Sequence, residues 1–587
     1  MKLIFRELGR YRRGVALSIL VKLLGTMAEL SLPYILEHII DDIVPLGQMR
    51  SVILWGLGMF AAAILCRQLN VTANRMAIGN AHKISYDVRQ ALFRKTANLS
   101  GSQFDSFGLP SLISRMTSDS YNVQSAVQQF QTLCVRAPIM LFGGTLVALL
   151  MDWHLAMILL VMIPLLLGVV LFVSSRGIPL YAGVQQKLDA VVRIMRENIT
   201  GIRVVKALSK EDYERGRFGA ANAAMADQDI RASTVMAIPG PFMQLCLNTG
   251  LTLVVFFGAQ RVNAGQMQPG VILAFLTYFN MIAMGVMGLN RIFMTMSRAS
   301  ASADRIDAVL QAETDQALLP ESEAALPAGD EFIRFEHVSF RYGEDSVGHD
   351  HSGFVGGKRE QALEDISFAI RRGESLGIIG PTGCGKSTIV NLLMRFYDPK
   401  EGAVFVDGKD LRCCDRDTLR RRFGTVFQND MIFKDTLREN IDFGRDLSEE
   451  ALRQAVEDAM AAEFIDSLDE GLDYAAAIKG ANLSGGQRQR ILVARALAAV
   501  PEILVLDDSS SALDYKTDAA MRRAIREHYP DATLILIAQR VSSVMGMTKI
   551  LVMDNGRCIG YGSHEELLQS CEAYREIYRI QMGEMPE

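Results

Sequence analysis

The chain has no CxxC spacing, no dominant block of basic residues and no small-residue cleavage site behind its basic N-terminus. Each absence removes a class of protein. The eight cysteines (66, 134, 246, 384, 413, 414, 558 and 571) are scattered, which argues for reduced thiols filling small apolar spaces over a disulfide framework or a metal site. Lys and Arg number 61 against 66 Asp and Glu, a net charge of −5, so no nucleic-acid partner is expected. The opening MKLIFRELGRYRRG is basic, and without a cleavage site it reads as the cytosolic flank of a retained membrane helix.

Charge is scarce as well, at 22% of residues against 49% hydrophobic. The deficit is local: long apolar runs fill the first 300 residues, and the remainder has the make-up of a soluble domain. A chain of 587 residues is too long for a single core. The expected division is a six-helix transmembrane domain over 1–310, a linker over 311–330 and an ATP-binding domain over 331–587, that is, an α-helical membrane part followed by an α/β domain.

A bilayer-spanning helix needs about 20 apolar residues. Six stretches qualify, near 14–40, 51–75, 133–151, 154–175, 236–260 and 270–297. The third and fourth are separated only by Met151-Asp152-Trp153-His154, room for nothing but a tight hairpin. Lys2, Arg6, Arg10, Arg12 and Arg13 flank the first span, and the long connections 76–132 and 176–235 are rich in Lys and Arg. The alternate connections hold only Arg50 and Arg261. The positive-inside rule then puts both termini in the cytosol of a cell-membrane protein. Glu29 lies within the first span, where a carboxylate is expensive unless it faces protein or a wet cavity. Met281, Met284, Met287 and Met294 recur at roughly helical spacing in the last span, suited either to packing or to an adaptable apolar pocket.

Beyond the Pro- and acid-bearing stretch 316–330 the pattern changes. In FIRFEHVSFRY, Ile333, Phe335, Val338 and Phe340 are spaced for a strand. SLGIIG then leads into GPTGCGKST (380–388) and the apolar helix pattern IVNLLMRF. This is the GxxxxGK[ST] phosphate loop in its strand-to-helix setting. Gly380, Gly383 and Gly385 let the backbone wrap closely so that N–H groups face phosphate oxygens. Lys386 adds a point charge, and the Ser387 hydroxyl, followed by Thr388, can ligate Mg²⁺. PEILVLDD ends a second apolar strand in two carboxylates: Asp507 to hold the metal directly or through water, and Asp508 beside an attacking water.

Ser484-Gly485-Gly486-Gln487, after Leu483 in ANLSGGQRQRILVARAL, resembles the signature segment of ABC transporter ATPases. The resemblance extends along nearly the whole chain. It implies that Tyr342 stacks on adenine, that Gln428 is the Q-loop glutamine and a Mg²⁺ ligand, and that Ser511 to Asp514 form the D-loop. It implies ATP and Mg²⁺ as cofactors and a six-helix exporter-type membrane half. Segments 101–119 and 197–218 look like the family's inner-loop segments that pass motion to the ATPase. In this family the signature of one ATPase domain completes the phosphate loop of another, so a chain with one such domain needs a second half-transporter.

The chain departs from the family in three places. Asp508 stands where Glu is usual, Gln539 in LILIAQR where His is usual, and Ala477-Ile478 where a Gly-Glu pair usually precedes the signature. Asp is one methylene short, which withdraws the carboxylate by roughly 1.5 Å, and a general base must lie within hydrogen-bond reach of its water. Gln539 can bond a γ-phosphate but carries no imidazolium charge. The expectation is a slow, degenerate site on one subunit of a heterodimer that exports small amphipathic compounds, the partner having the usual Glu and His. An exporter-fold siderophore importer and a slow homodimeric ATPase with a regulatory or channel-like role stay open. The stretch 343–361, with His349, Asp350 and His351, reads as a Gly-rich surface insertion, and Arg420 to Arg422 as a solvated helix face.

Overall fold

The computed structural model describes residues 2–313, 316–320, 329, 331–343, 361–509 and 513–583. His349, Asp350, His351, most of the 343–361 insertion and the D-loop residues Ser511 and Ala512 lie outside the described residues. The chain divides into two units: Met1–Ala97 with Pro110–Ala312, and Asn98–Leu109 with Glu313–Glu587.

The first unit is helical. Among the described residues, six helical segments are long and apolar enough to cross a membrane: Arg12–Leu46, Met49–Ala97, Leu109–Met151, Trp153–Thr200, Glu211–Asn263 and Pro269–Leu310. Each apolar stretch seen in the sequence lies inside a longer helical run, because the amphipathic connections extend the helices past the apolar window. Asp152 explains the abrupt hairpin. Its carboxylate accepts from the His154 and Leu155 N–H groups at 2.9 and 3.0 Å, capping the helix that starts at Trp153.

Several polar groups inside the spans bond to neighbouring helices, as an apolar surrounding favours. Glu29 accepts from Arg136 Nη2 at 2.6 Å, Lys22 Nζ donates to Asn70 and Asn74 at 2.8 and 3.2 Å, and the buried Tyr278 hydroxyl donates to the Leu30 carbonyl at 2.7 Å. The Glu29 carboxylate is thus an inter-helix pair. Met284 and Met287 are exposed, while Met281 and Met294 are half-buried.

The second unit carries ten strands among its described residues: β1 (Ile333–Phe340), β2 (Leu363–Ile370), β3 (Ser375–Ile379), β4 (Glu401–Val406), β5 (Lys409–Asp410), β6 (Phe423–Val426), β7 (Ile503–Asp507), β8 (Thr533–Ile537), β9 (Lys549–Asp554) and β10 (Arg557–Gly562). They form an antiparallel sheet, β2-β1-β4-β5, and a six-stranded sheet, β10-β9-β3-β8-β7-β6, in which β9, β3, β8, β7 and β6 run parallel. All five residues of β7 and of β8 are buried. Apart from Thr533 and Asp507 these are the continuous apolar runs expected of strands covered on both faces, and each buried Ile, Leu or Val side chain contributes about 2 kcal/mol.

The spacing 333, 335, 338, 340 contains one step of three, which a strand of period two accommodates only with a bulge. The register of β1 shifts between Phe335 and Val338, His337 takes φ +48°, and all four apolar side chains stay buried. Residues 98–109 join this unit through a short helix, Gly101–Phe107. The Gly101 N–H donates to the Phe396 carbonyl at 3.0 Å, and the Tyr397 hydroxyl donates to Asp105 at 2.7 Å. A Cβ on Gly101 would lie 2.7 Å from the Tyr397 ring.

The arginine run is not a solvated face. Arg420 donates to the Met394 and Arg395 carbonyls at 3.3 and 3.0 Å, and Arg422 pairs with Glu502 and Asp407 at 2.8 and 3.1 Å; Arg421 alone faces solvent. Arg395, 1% exposed, binds Asp398 at 3.0 Å and the carbonyls of Cys414 and Ala317 at 2.9 and 3.0 Å. Replacing Arg395 with Ala removes a buried guanidinium from a half-buried carboxylate and two carbonyls, so Arg395→Ala is expected to cost about 1–3 kcal/mol and to lower the melting midpoint of the full chain in scanning calorimetry. An unchanged midpoint would show that water replaces the guanidinium.

Candidate nucleotide site

The parallel register gathers the site on one edge of the sheet. Ile378 pairs with Ile537, Asp507 with Ile537, and Val426 with Leu506. Gly380, Gln428, Asp507–Asp508 and Gln539 therefore all follow the carboxyl ends of adjacent strands, where open α/β sheets bind ligands. This edge unites the phosphate loop, the two carboxylates and Gln539, which are far apart in sequence. Gln428 and Gln539 are exposed, as groups awaiting a ligand must be.

The loop's glycines have distinct reasons. A Cβ on Gly380 would stand 2.2 Å from the Met553 carbonyl oxygen, while Gly383 and Gly385 have φ +87° and +99°, where only glycine is unstrained. Gly385 leads directly into the helix Lys386–Leu393, whose first N–H groups lack intrahelical partners. Lys386 Nζ donates to the carbonyls of Gly380 and Pro381 at 2.9 and 2.7 Å. The ammonium thus lies back across the loop, and phosphate oxygens would replace those carbonyls.

Ser387 Oγ donates to Asp507 Oδ2 at 2.7 Å. Asp507 is 5% exposed, and burial pushes its carboxyl above the ordinary carboxylate range, with the neighbouring Asp508 adding to the effect and the Ser387 bond opposing it. A buried carboxylate beside a second carboxylate and a hydroxyl is a hard-oxygen donor set that fits Mg²⁺. Asp508 has φ +52°, a region that Asp visits several-fold more readily than most side chains. Burial raises its carboxyl too, against the pull of Lys386 and Arg540. Gln539 Nε2 donates to Asp508 Oδ2 at 3.4 Å, so the two departures from the family pattern face each other.

Around the loop, the Tyr342 hydroxyl donates to Thr388 Oγ1 and accepts from Asn391 Nδ2, both at 3.2 Å. The Tyr342 ring also meets Tyr397 edge-on at 5.1 Å. Asn391 and Tyr397 carried no signal of their own in the sequence. Cys384 is buried, and its thiol lies 3.8 Å from Lys386 Nζ.

Ser484 starts the helix Gly485–Leu497 with a reciprocal cap. Its Oγ accepts from the Gln487 N–H, and Gln487 Oε1 accepts from the Ser484 N–H. The motif's serine and glutamine therefore fix the helix entrance. Ser484 and Gly485 are exposed, and Gly486 and Gln487 half-buried. Asp514 caps the helix Tyr515–His528 by accepting from Thr517. Ile478, in place of the usual acid, is exposed.

Six apolar helical segments followed by a phosphate-loop ATPase domain define a membrane transporter driven by nucleotide hydrolysis. The ABC transporter transmembrane region family matches residues 15–286, and the ABC transporter ATPase family residues 363–511. An uncharacterized ABC transporter ATP-binding protein of Mycobacterium tuberculosis is 34% identical over 587 aligned residues, covering 98% of this chain and 97% of its own. YfiB of Bacillus subtilis, of the same description, is 34% identical over 97% of this chain and 96% of its own. The ATP-dependent lipid A-core flippase of Vibrio vulnificus is 28% identical over 98% of this chain and 96% of its own. The fold is shared, at a TM-score of 0.80 and 24% identity, with a bacterial Atm1-family ABC exporter solved with ATP bound, covering 98% of this chain and 99% of that one.

This chain belongs to the ABC transporter family. It is a half-transporter of exporter fold with its membrane and ATPase parts fused, and its ATPase domain implies ATP binding and hydrolysis coupled to transport.

Because burial disfavours the ionised form of Asp507, neutralising it relieves a penalty in the empty site. Asp507→Asn is expected to raise the melting midpoint of the nucleotide-free protein at pH 7 while removing Mg²⁺-dependent ATP binding. The gain should shrink as pH falls through the raised pKa of Asp507, because the parent carboxyl then protonates. A variant no more stable than the parent at pH 7 would contradict this account.

Proposed function

We propose that this chain is one subunit of a heterodimeric exporter of amphipathic, drug- or lipid-like compounds, and that its own phosphate loop builds a slow site that retains ATP. The facing pair Asp508 and Gln539 carries the reading. In this arrangement Gly380, Gly383, Gly385, Lys386 and Thr388 hold the phosphates and Tyr342 stacks on adenine. Ser387, Asp507 and Gln428 hold Mg²⁺, which when bound neutralises charge on the β- and γ-phosphates. Asp508, the shorter acid, stands back from the attacking water. Its carboxylate is engaged by the amide of Gln539, a neutral side chain where an imidazolium is usual. A displacement near 1 Å at a reacting group can slow a reaction by about 10²-fold.

Ser484, Gly485, Gly486 and Gln487 are intact and would complete the phosphate loop of a partner half-transporter that has the usual Glu and His. A homodimer would carry two poor sites; a heterodimer carries one competent and one retentive site. Residues 1–310 are the transmembrane domain, 331–587 the ATPase domain, and both termini face the cytosol by the placement of Lys and Arg. The helix Gly101–Phe107, bonded to Phe396 and Tyr397, leads by chain directly into two spans and suits a mechanical link. Exposed Met284 and Met287 and the likeness to a lipid A-core flippase support an apolar or lipid-like cargo.

The test is ATP hydrolysis by the purified chain, alone and mixed with a candidate partner. Near-zero turnover alone and strong turnover in the mixture, lost when the partner's catalytic glutamate becomes glutamine, is the expected result. Brisk hydrolysis by this chain alone would make Asp508 an adequate base and end the slow-site reading. Restoring length and charge together, with Asp508→Glu and Gln539→His, is expected to speed this chain's own site by about 10²-fold.

A further inference from the structure

The turn that carries Gln539 is held by a residue outside every motif. Gln539 follows β8, and Val541 opens a four-residue helix, Val541–Val544, whose N-cap is Arg540 and has no side-chain cap bond. The Val541 N–H belongs to the first turn of that helix, whose donors have no intrahelical acceptor. Gln581, in the last turn of the helix Glu572–Met582, supplies both missing partners. Its Oε1 accepts from the Val541 N–H at 2.7 Å, and its Nε2 donates to the Gln539 carbonyl at 2.9 Å. A single amide therefore grips the backbone on either side of Arg540. The helix that presents it is itself anchored: Tyr574 is fully buried in the core, its hydroxyl lies 2.8 Å from His564 Nδ1, and Ile577 and Tyr578 pack on the same core. On its other side the turn is tied to the sheet, where the Ala538 N–H donates to the Ile378 carbonyl at 3.2 Å.

We infer that Gln581 is a positioning residue for the nucleotide site: by clamping the backbone of Gln539 and Val541 it aims the Gln539 side chain at the γ-phosphate and at Asp508. The inference rests on the reading of Gln539 as the γ-phosphate contact. Nothing about residue 581 in the sequence signals the role, because the amide acts on backbone atoms some forty residues away. Two backbone bonds from one side chain also explain why Gln539 reaches Asp508 Oδ2 at only 3.4 Å: the backbone is fixed first, and the side chain takes the geometry left to it. The consequence is specific to the third phosphate. Loosening the turn moves a group that meets ATP and not ADP, whereas the loop glycines, Lys386 and Tyr342 serve both nucleotides.

The test uses the full-length chain in lipid nanodiscs, parent, Gln581→Ala and Gln581→Glu, with equilibrium binding of Mg²⁺ and either the β,γ-imido analogue of ATP or ADP. Amide hydrogen exchange is followed across residues 539–544. Gln581→Ala is expected to weaken the triphosphate by about 5-fold, the worth of one ordinary hydrogen bond, to leave ADP unchanged, and to speed exchange at Val541. Gln581→Glu keeps the acceptor for Val541 but turns a carboxylate oxygen toward the Gln539 carbonyl, so its exchange at Val541 should stay near the parent while its triphosphate affinity falls at least as far as that of Gln581→Ala. Triphosphate binding unchanged in Gln581→Ala, or triphosphate and ADP weakened in equal proportion, would overturn the inference, the second because it marks general loss of structure. The comparison is independent of turnover: brisk hydrolysis by the parent would end the slow-site reading and leave the Gln581 result standing.

Discussion

The parallel alignment of β6, β7, β8 and β3 is the constraint on which the site depends. Those strands pair residue for residue, Val426 with Leu506, Asp507 with Ile537 and Ile537 with Ile378, so their carboxyl ends finish at one level. Gly380, Gln428, Asp507, Asp508 and Gln539 are all attached within two residues of that level. A one-residue slip in any strand would turn its apolar side chains out of the core, so the burial of β7 and β8 on both faces fixes the chemistry as firmly as it fixes the fold. The apolar run that reads as mere core in ILVLD is what sets Asp507 and Asp508 at their depth.

Depth then divides the two carboxylates. Asp507, buried and bonded to Ser387, is a charge that needs a cation. Asp508, one residue further, is half-buried, sits at positive φ and leans toward Lys386, Arg540 and Gln539. Neighbours in sequence thus have different electrostatic surroundings because the chain leaves the sheet between them. On the proposed reading, that is what would let adjacent acids of one type divide between holding a metal and facing the attacking water.

The elements most legible in the sequence were those with a period or a spacing. The six spans, the GxxxxGKS loop, the apolar strand before Asp507 and the strand β1 all follow from local patterns, whereas the bulge in β1 interrupts the period-two alternation expected there. Less legible was whatever depends on pairing across the fold. Arg420 and Arg422 read as solvated because a run of like charges gives no hint of the carbonyls and carboxylates that surround it. Glu29 gave two readings, since only the packed helices reveal Arg136 as its partner. Asn391 and Gln581 gave no signal, because an amide that bonds a hydroxyl or a backbone atom imposes no spacing. The short helix Gly101–Phe107 lies in a segment that resembles an inner loop by its residues, but only its bonds to Phe396 and Tyr397 tie it to the second unit.

The two departures at the site are best understood together. With Gln539 in place of a histidine, an acid at 508 faces a neutral amide, and the cations that act on it are Lys386 and Arg540. With Asp508 in place of a glutamate, a histidine at 539 would have a carboxylate too short to share the water. The Gln539 amide approaches the Asp508 carboxylate at 3.4 Å, a long bond, while burial holds that carboxyl above the ordinary carboxylate range. The positive φ at 508, which Asp tolerates well, belongs to the same arrangement. On the proposed reading the pair would hold a nucleotide in place, and Ser484 and Gln487, whose reciprocal cap fixes the helix entrance, would serve a partner's phosphate loop.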